Sequence, residues 1–183
     1  IMPHVTDVDK AMADGAPILR ENAGDGSVPK GMHPNVVRYH ESGHGDLETG
    51  FASADLVIED TFRTEATHQG YIEPHACLAQ LGGDGKGELW CCTQGHFHVQ
   101  KTCAALLDIE TSALRVTPSE IGGGFGGKTA IFIEPVALAL SRKTNRPVKL
   151  VMSRSEVFRA TGPTSSTSMD IKIEMKKDGT ITA

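Results

Sequence analysis

"LRVTPSEIGGGFGGKTAIFIEPVALALSRKTN", residues 114–145, combines a short apolar strand, a glycine-rich loop and an apolar helix. Residues 114–121 have the composition of a strand, and residues 130–145 that of a helix. Pro135 lies near the first turns of that helix and Asn145 near its end, as expected for helix termini. The glycine loop between them therefore joins a strand to a helix.

The chain before and after this stretch also consists of predicted strands and helices. A glycine- and aspartate-containing turn at 81–87 joins two predicted strands, "HACLAQ" (75–80) and "GELWCCTQ" (87–94). Residues 96–109 place apolar side chains on one helical stripe, and "RPVKLVMS" (146–153) is a further strand. The order strand, strand, helix, strand, helix, strand predicts an α+β fold: a two-layer sheet with its helices on one side.

The two ends of the chain differ from this central part. Residues 1–50 are rich in Gly, Pro, His, Asn and Asp, and only "TDVDKAMADGAP" (6–17) has helical spacing, so we predict an extended wrapping segment with one short helix. "SMDIKIEMKK" (168–177) alternates as a strand, "KDGT" is a hairpin turn, and "ITA" begins a return strand. Because that strand stops at once and the first residue is Ile1, we expect a piece of a longer polypeptide with a partial domain over 51–183.

Composition narrows the classes of partner. The chain has 183 residues, 39% hydrophobic and 22% charged, with a net charge of -5 and a pI near 5.9. This acidic balance offers no basic face to nucleic acid, so we expect no nucleic-acid partner. No apolar run approaches the roughly 20 residues that span a bilayer, so we expect no membrane partner and a cytoplasmic location.

The four cysteines are predicted to be reduced, buried thiols, because a chain of this size needs no disulfides to hold a core. A zinc site of Cys91 and Cys92 with His96 and His98 is the alternative. It is disfavoured because neighbouring residues of a strand point to opposite faces.

The loop also matches the phosphate-loop pattern G-x-x-x-x-G-K-[ST], through Gly122, Gly127, Lys128 and Thr129. Backbone N–H groups at a glycine-rich turn form an anion site, which favours a nucleotide. The bulky ring of Phe125 inside the loop does not suit bound phosphates, and no apolar strand downstream ends in a magnesium-binding aspartate. The pattern alone leaves nucleotide binding and a simple tight turn open.

"GGGFGGK", together with "HQGYIEPHACLAQ" (68–80) and "RPVKLVMSRSE" (146–156), resembles the molybdenum hydroxylase family. This family includes xanthine oxidase, aldehyde oxidase and the carbon monoxide dehydrogenase large subunit. The resemblance covers about residues 50–183 and implies the first part of the molybdopterin-binding region of such a large subunit. It further implies a mixed sheet with helices on one side.

The resemblance also implies a site. Backbone N–H groups of Phe125 and Gly126 would approach an oxygen ligand of the molybdenum centre, and the Phe125 ring would wall the substrate pocket. The implied cofactor-binding positions are Gly123, Gly124, Phe125, Gly126 and Gly127. Gln69 would lie near the metal's oxygen, with an ordinary loop amide as the alternative. Arg154 would contact substrate, with a structural ion pair as the alternative.

Lys128 is interpreted as a solvated or helix-start lysine, and Glu73 and Glu134 as structural residues. Thr129 stands where purine-oxidising members have a glutamate, so a purine substrate is not expected.

The implied activity is hydroxylation of an aldehyde or an N-heteroaromatic ring, with water as the oxygen source. Electrons would leave through iron–sulfur and FAD groups on partner domains or subunits. The family's general base lies beyond residue 183, so the segment alone is expected to be inactive without the remainder of the large subunit. A nucleotide-binding protein and a non-catalytic scaffold relative remain the alternatives.

Overall fold

A computed structural model describes residues 4–21 and 24–183. The chain forms two compact units, one of Ile1–Ala66 with Ser165–Ala183 and the other of Thr67–Thr164. These units divide near residue 66, whereas the predicted boundary at residue 50 concerns a functional domain and stays a prediction. The elements in chain order are α1 (Val8–Ala11), α2 (Leu47–Ala52), β1 (Leu56–Thr64), β2 (Ala76–Leu81), β3 (Gly87–Cys91), α3 (His96–Leu107), a 3-10 turn (Thr111–Ala113), β4 (Leu114–Pro118), α4 (Glu134–Thr144), β5 (Val148–Val151), α5 (Arg154–Ala160) and β6 (Thr167–Met175).

The second unit contains a four-stranded mixed sheet with the order β4-β3-β2-β5. β2 pairs antiparallel with both β3 and β5, while β3 and β4 are parallel. The parallel pair needs a crossover, and α3 supplies it. The predicted order of strands and helices and the mixed α+β sheet are confirmed.

The core lies between this sheet and the helices α3 and α4. Alternate residues of β2 face the helices, so that one side of the strand is buried and the other is not. The buried cluster comprises Cys77, Ala79, Leu81, Leu89, Cys91, Val99, Cys103, Leu107, Leu114, Ala137 and Leu138. Apolar burial of this kind is the main favourable contribution to folding.

Helix boundaries follow local capping groups. α4 begins at Glu134 and not at residue 130, with Pro135 in its first turn; the Glu134 carboxylate accepts a hydrogen bond from the Phe132 N–H at 2.7 Å, before the helix. α4 ends at Asn145 in the left-handed conformation. α5 was not predicted from the sequence, although Ser153 and Glu156 form a capping box of the S-x-x-E type.

The first unit is built on a two-stranded antiparallel ribbon of β1 and β6, with Leu56 opposite Met175. The predicted return strand is confirmed as a bridge between Met175 and Ile181, after a turn closed by Lys176 N–H to Thr180 O at 2.9 Å. The prediction of a single helix in the amino-terminal segment was incomplete, because α2 forms as well. Asp46 caps α2 through Thr49 N–H.

No helix in the described residues is both long and apolar enough to cross a membrane.

Candidate functional site

The glycine loop of the second unit is held at both ends by paired hydrogen bonds. At its start, the Gly122 N–H donates to Glu73 Oε2 at 2.9 Å, and the Gly122 carbonyl accepts from the Glu73 N–H at 3.2 Å. At its end, the Lys128 N–H donates to Gln94 Oε1 at 3.2 Å, and the Lys128 carbonyl accepts from the Gln94 N–H at 2.9 Å. Both ends of the loop are therefore fixed in position.

The middle of the loop is arranged differently. In the described part of the chain, the N–H groups of Gly123, Gly124, Phe125 and Gly126 donate to no acceptor. Positive φ angles of 95°, 50° and 87° at Gly123, Phe125 and Gly126 turn the backbone through a tight curve. Consecutive unpaired N–H groups on such a curve form a concave site for an anion.

Two further hydrogen bonds fix the peptide after Gly126. The Gly127 N–H donates to the Gly124 carbonyl at 2.7 Å, and the Thr129 hydroxyl donates to the Gly126 carbonyl at 2.9 Å. The Thr129 hydroxyl proton is thereby committed to the backbone.

The Tyr71 side chain packs directly against the glycine loop. A Cβ atom at Gly127 would lie 2.7 Å from Tyr71 Cε1, and one at Gly123 would lie 3.1 Å from Tyr71 Cβ. A Cβ atom at Gly124 would lie 2.6 Å from Gln94 Oε1. These glycines are required because the loop packs directly on neighbouring side chains.

Lys128 is buried, and its interpretation as a solvated or helix-start lysine was wrong. Its side chain has 0% exposure, and its Nζ lies 2.5 Å from Glu73 Oε2 and 4.9 Å from the centre of the Tyr71 ring. A phosphate-loop lysine must reach the phosphates of the nucleotide, whereas this ammonium is committed to a carboxylate beneath the loop. The helix α4 also starts only at Glu134. The geometry does not support nucleotide binding.

The Tyr71 hydroxyl belongs to a buried chain of hydrogen bonds. It lies 2.7 Å from His75 Nε2 and 3.0 Å from Thr161 Oγ1, which also lies 3.0 Å from His68 Nε2. Thr161 donates its one proton to the Val157 carbonyl at 2.8 Å, so that Tyr71 donates to Thr161 and His75 Nε2–H donates to Tyr71. His75 Nδ1 is then an acceptor, and it is buried without a partner in the described residues.

Burial above all, with the nearby Lys128 ammonium and His68 ring, lowers the pKa of His75 from 6.5 to about 4, while the Glu73 carboxylate acts in the opposite direction. His75 is therefore neutral at pH 7. A neutral ring suits its role as donor to the Tyr71 hydroxyl.

This shift predicts that stability falls as the pH drops. The unfolded chain takes up a proton at His75 near pH 6.5, but the folded protein does so only near pH 4. Stability from His75 is therefore complete above pH 6.5, decreases as the pH falls from 6.5 to 4, and changes no further below that. The expected loss is about 3 kcal/mol.

Denaturant unfolding at fixed pH, compared between the wild type and His75→Gln, measures this loss. Glutamine can still hydrogen-bond to Tyr71 but does not titrate. A wild-type minus variant difference that stays constant from pH 7 to pH 4 would contradict the prediction.

The structure places the three predicted side chains differently with respect to the loop. Gln69 lies against Gly127, 3.0 Å from the position of a Cβ there, and its Oε1 is buried without a partner in the described residues. The Phe125 ring is 73% exposed.

Arg154 lies at the segment before Glu73 and not at the glycines, because its Nη2 donates to the Ile72 carbonyl. Its Cζ lies 5.3 Å from the centre of the Phe158 ring, and its Nη1 is buried without a partner in the described residues.

Gln94, which holds the end of the loop, was not predicted as a site residue. A signal was present, because Gln94 follows β3 just as the glycine loop follows β4. The two strands are parallel, so that the segments after them meet at the same edge of the sheet. The role of Tyr71 beneath the loop was likewise not predicted.

The cysteines are free thiols packed in the core, as predicted. Burial, together with the nearby Glu134 carboxylate, raises the pKa of Cys77 and Cys103 to about 12. The Sγ atom of Cys92 accepts a hydrogen bond from the Ala76 N–H at 3.3 Å. Among the described residues no group of His, Cys, Asp and Glu side chains could hold a metal ion.

The loop can receive an anionic group. Unpaired N–H groups can receive an oxygen, and the glycines let the backbone approach closely. The Gln69 Oε1, an acceptor, and the Arg154 Nη1, a donor, are each buried without a partner in the described residues, and a bound group with both donors and acceptors could pair with them. An α+β sheet with such a loop at its edge defines a cofactor-binding domain.

Comparison with known proteins identifies the family of this cofactor-binding domain. The family model for the molybdopterin cofactor-binding domain matches residues 28–183, and the chain belongs to this family. A probable hypoxanthine oxidase of Escherichia coli O157:H7 is 30% identical over 209 aligned residues, which cover 100% of this chain and 22% of that protein. Xanthine dehydrogenase of Calliphora vicina is 36% identical over 84% of this chain and 11% of its own length.

Solved structures agree. A reconstituted CO dehydrogenase from Oligotropha carboxidovorans superposes with a TM-score of 0.74 at 28% identity, over 99% of this chain and 23% of that chain. The present chain thus spans about a fifth of the length of the relatives it matches in full. The predicted family and its molybdopterin-binding region are confirmed.

Proposed function

We propose that this chain forms the first part of the molybdenum cofactor site in the large subunit of a hydroxylase. The observation that carries the proposal is the row of unpaired N–H groups from Gly123 to Gly126, on a loop held rigidly at both ends. When bound, the molybdenum–molybdopterin cofactor supplies the redox chemistry for hydroxylating an electron-poor carbon, with water as the oxygen source.

The residues of the chain would bind and orient. The N–H groups of Phe125 and Gly126 would donate to an anionic oxygen of the cofactor, while Gly123, Gly124 and Gly127 would allow its close approach. The exposed Phe125 ring forms a wall of the substrate pocket, which suits a flat or apolar substrate.

Two glutamines are candidates for a further donor to the cofactor. Gln69 would donate through its Nε2, since its Oε1, which is buried without a partner in the described residues, can only accept. Gln94 already uses its Oε1 on the Lys128 N–H. With that oxygen engaged, the Gln94 amide group has its two N–H donors left to offer. Arg154 would contact substrate through Nη1 only, because Nη2 is bound to the Ile72 carbonyl.

The substrate we propose is an aldehyde or an N-heteroaromatic ring other than a purine. Thr129 stands at the position of a glutamate in purine-oxidising members, and its hydroxyl is committed to the Gly126 carbonyl. Iron–sulfur and FAD groups on partner domains or subunits would accept the electrons, and the location would be cytoplasmic.

Metal analysis of the longer protein tests this proposal. The protein, expressed with its neighbouring subunits in a host that makes the cofactor, should hold about one molybdenum per large subunit and reduce a dye with an aldehyde or heterocycle. Metal-free protein from that host would overturn the proposal, and bound molybdenum without any such turnover would favour a non-catalytic scaffold.

A further inference from the structure

The proposed function leaves a buried cation directly under the loop without a role. Lys128 has a fully buried side chain, and the proposed function assigns it no contact with substrate or cofactor. We propose that Lys128 is a positioning residue, which acts through its ion pair with Glu73. The pair holds the backbone N–H groups of residues 123–126, here called the N–H cradle, in place before any cofactor binds. The expected effect on cofactor binding rests on the proposed function, whereas the ion pair itself is seen in the structure.

The ion pair connects the two ends of the loop. Glu73 Oε2 accepts from the Gly122 N–H at 2.9 Å and from Lys128 Nζ at 2.5 Å. One carboxylate oxygen thus joins the first glycine of the loop to the residue that follows its last glycine. The residues between them are thereby held in a closed ring, which contains the N–H groups of residues 123–126 that have no acceptor in the described part of the chain.

The connection is strong on the side of the lysine, whose side chain has 0% exposure, while that of Glu73 has 31%. Removing the Glu73 carboxylate would leave a buried ammonium without a compensating charge, which is strongly unfavourable. The ammonium also lies 4.9 Å from the centre of the Tyr71 ring, a favourable cation–π contact. Tyr71 is itself held through its hydroxyl by His75 and Thr161. The ammonium therefore has one defined position.

The pairing also decides what attracts the cofactor. Because Glu73 balances the charge of Lys128, the attraction for an anion comes from the backbone N–H groups. The Lys128 ammonium acts instead through its ion pair, which holds the loop in its conformation. This differs from a phosphate loop, where the lysine itself contacts the ligand.

Hydrogen exchange in the full-length protein, prepared without cofactor, tests the positioning role directly. In Glu73→Gln and in Lys128→Met, the amides of Gly122, Gly127 and Lys128 should lose protection, so that the peptide covering 121–129 exchanges at least about tenfold faster. Molybdenum occupancy at limiting cofactor should fall by a similar factor. Glu73→Asp, which keeps the charge but cannot reach both donors, should give an intermediate result and covers the case in which the other variants do not fold.

Two controls separate this role from general stability. Glu88→Gln breaks the exposed ion pair with Arg115, whose atoms lie 3.5 Å apart, and should change neither measurement. Leu138→Ala weakens the core but should leave exchange of the 121–129 peptide unchanged.

Reversing the pair gives a further test. In Glu73→Lys with Lys128→Glu, the ion pair can reform, but the Gly122 N–H loses its acceptor. We expect no rescue of the exchange rate, since the role requires a carboxylate at position 73.

Folded Glu73→Gln and Lys128→Met proteins with wild-type exchange at 121–129 and wild-type molybdenum occupancy would overturn the inference. If the wild type itself holds no molybdenum, the proposed function fails, while the exchange measurement still decides the positioning role.

Discussion

Gly127→Ala is expected to remove most of the bound molybdenum from the longer protein. A Cβ atom at position 127 would lie 2.7 Å from Tyr71 Cε1 and 3.0 Å from the Gln69 side chain. The Tyr71 ring cannot move aside easily, because its hydroxyl is bound to His75 and Thr161. The loop must therefore shift, and a displaced N–H cradle no longer matches the cofactor.

The expected size is at least a tenfold loss of molybdenum per chain, with a decrease in the free energy of unfolding of about 1–3 kcal/mol from overpacking. Metal analysis and denaturant unfolding measure the two effects. Gly83→Ala is the matched control, because nothing lies within 4 Å of a Cβ there and φ is not positive. Wild-type molybdenum content in a folded Gly127→Ala protein would contradict the packing argument.

Leu138→Ala is expected to give the largest loss of stability. Leu138 has 0% exposure and belongs to the core cluster between α4 and the sheet. Truncating a leucine there removes apolar burial and leaves a cavity, which lowers the free energy of unfolding by about 2–5 kcal/mol.

Leu140→Ala provides the control on the same helix, since Leu140 is 40% exposed. It should cost less than about 1 kcal/mol, because little apolar area is removed from a half-exposed site. Equal losses for the two variants in denaturant unfolding would show that Leu138 does not contribute to the core as described.

The elements of the sheet were predictable, because they depend on local patterns. β2 and β3 follow from two apolar runs around a glycine-containing turn, and α4 from its apolar stripe with a proline at its start. Two α-helices, α2 and α5, were not predicted; both are short, and short helices have weak periodicity. Their signals were the capping residues, Asp46 for α2 and the Ser153–Glu156 box for α5.

The site was predictable only in part. The glycine loop was found because its composition is unusual, and the resemblance separated it from a nucleotide loop through Phe125. The burial of Lys128 was not found, because a lysine after a glycine loop has the same local pattern whether it meets solvent or a carboxylate. Its partner Glu73 lies 55 positions earlier in the chain.

By itself, the sequence determined the α+β arrangement, the glycine loop and the family, since these depend on periodicity, on residues that permit unusual backbone and on ordered motifs. Only the tertiary structure decided how the loop is held. The parallel pairing of β3 with β4 brings Gln94 to the end of the loop, and the packing of Tyr71 beneath it makes the glycines necessary. These contacts join residues that are distant in the chain, and no local pattern records such a contact because its energy depends on burial and distance in three dimensions.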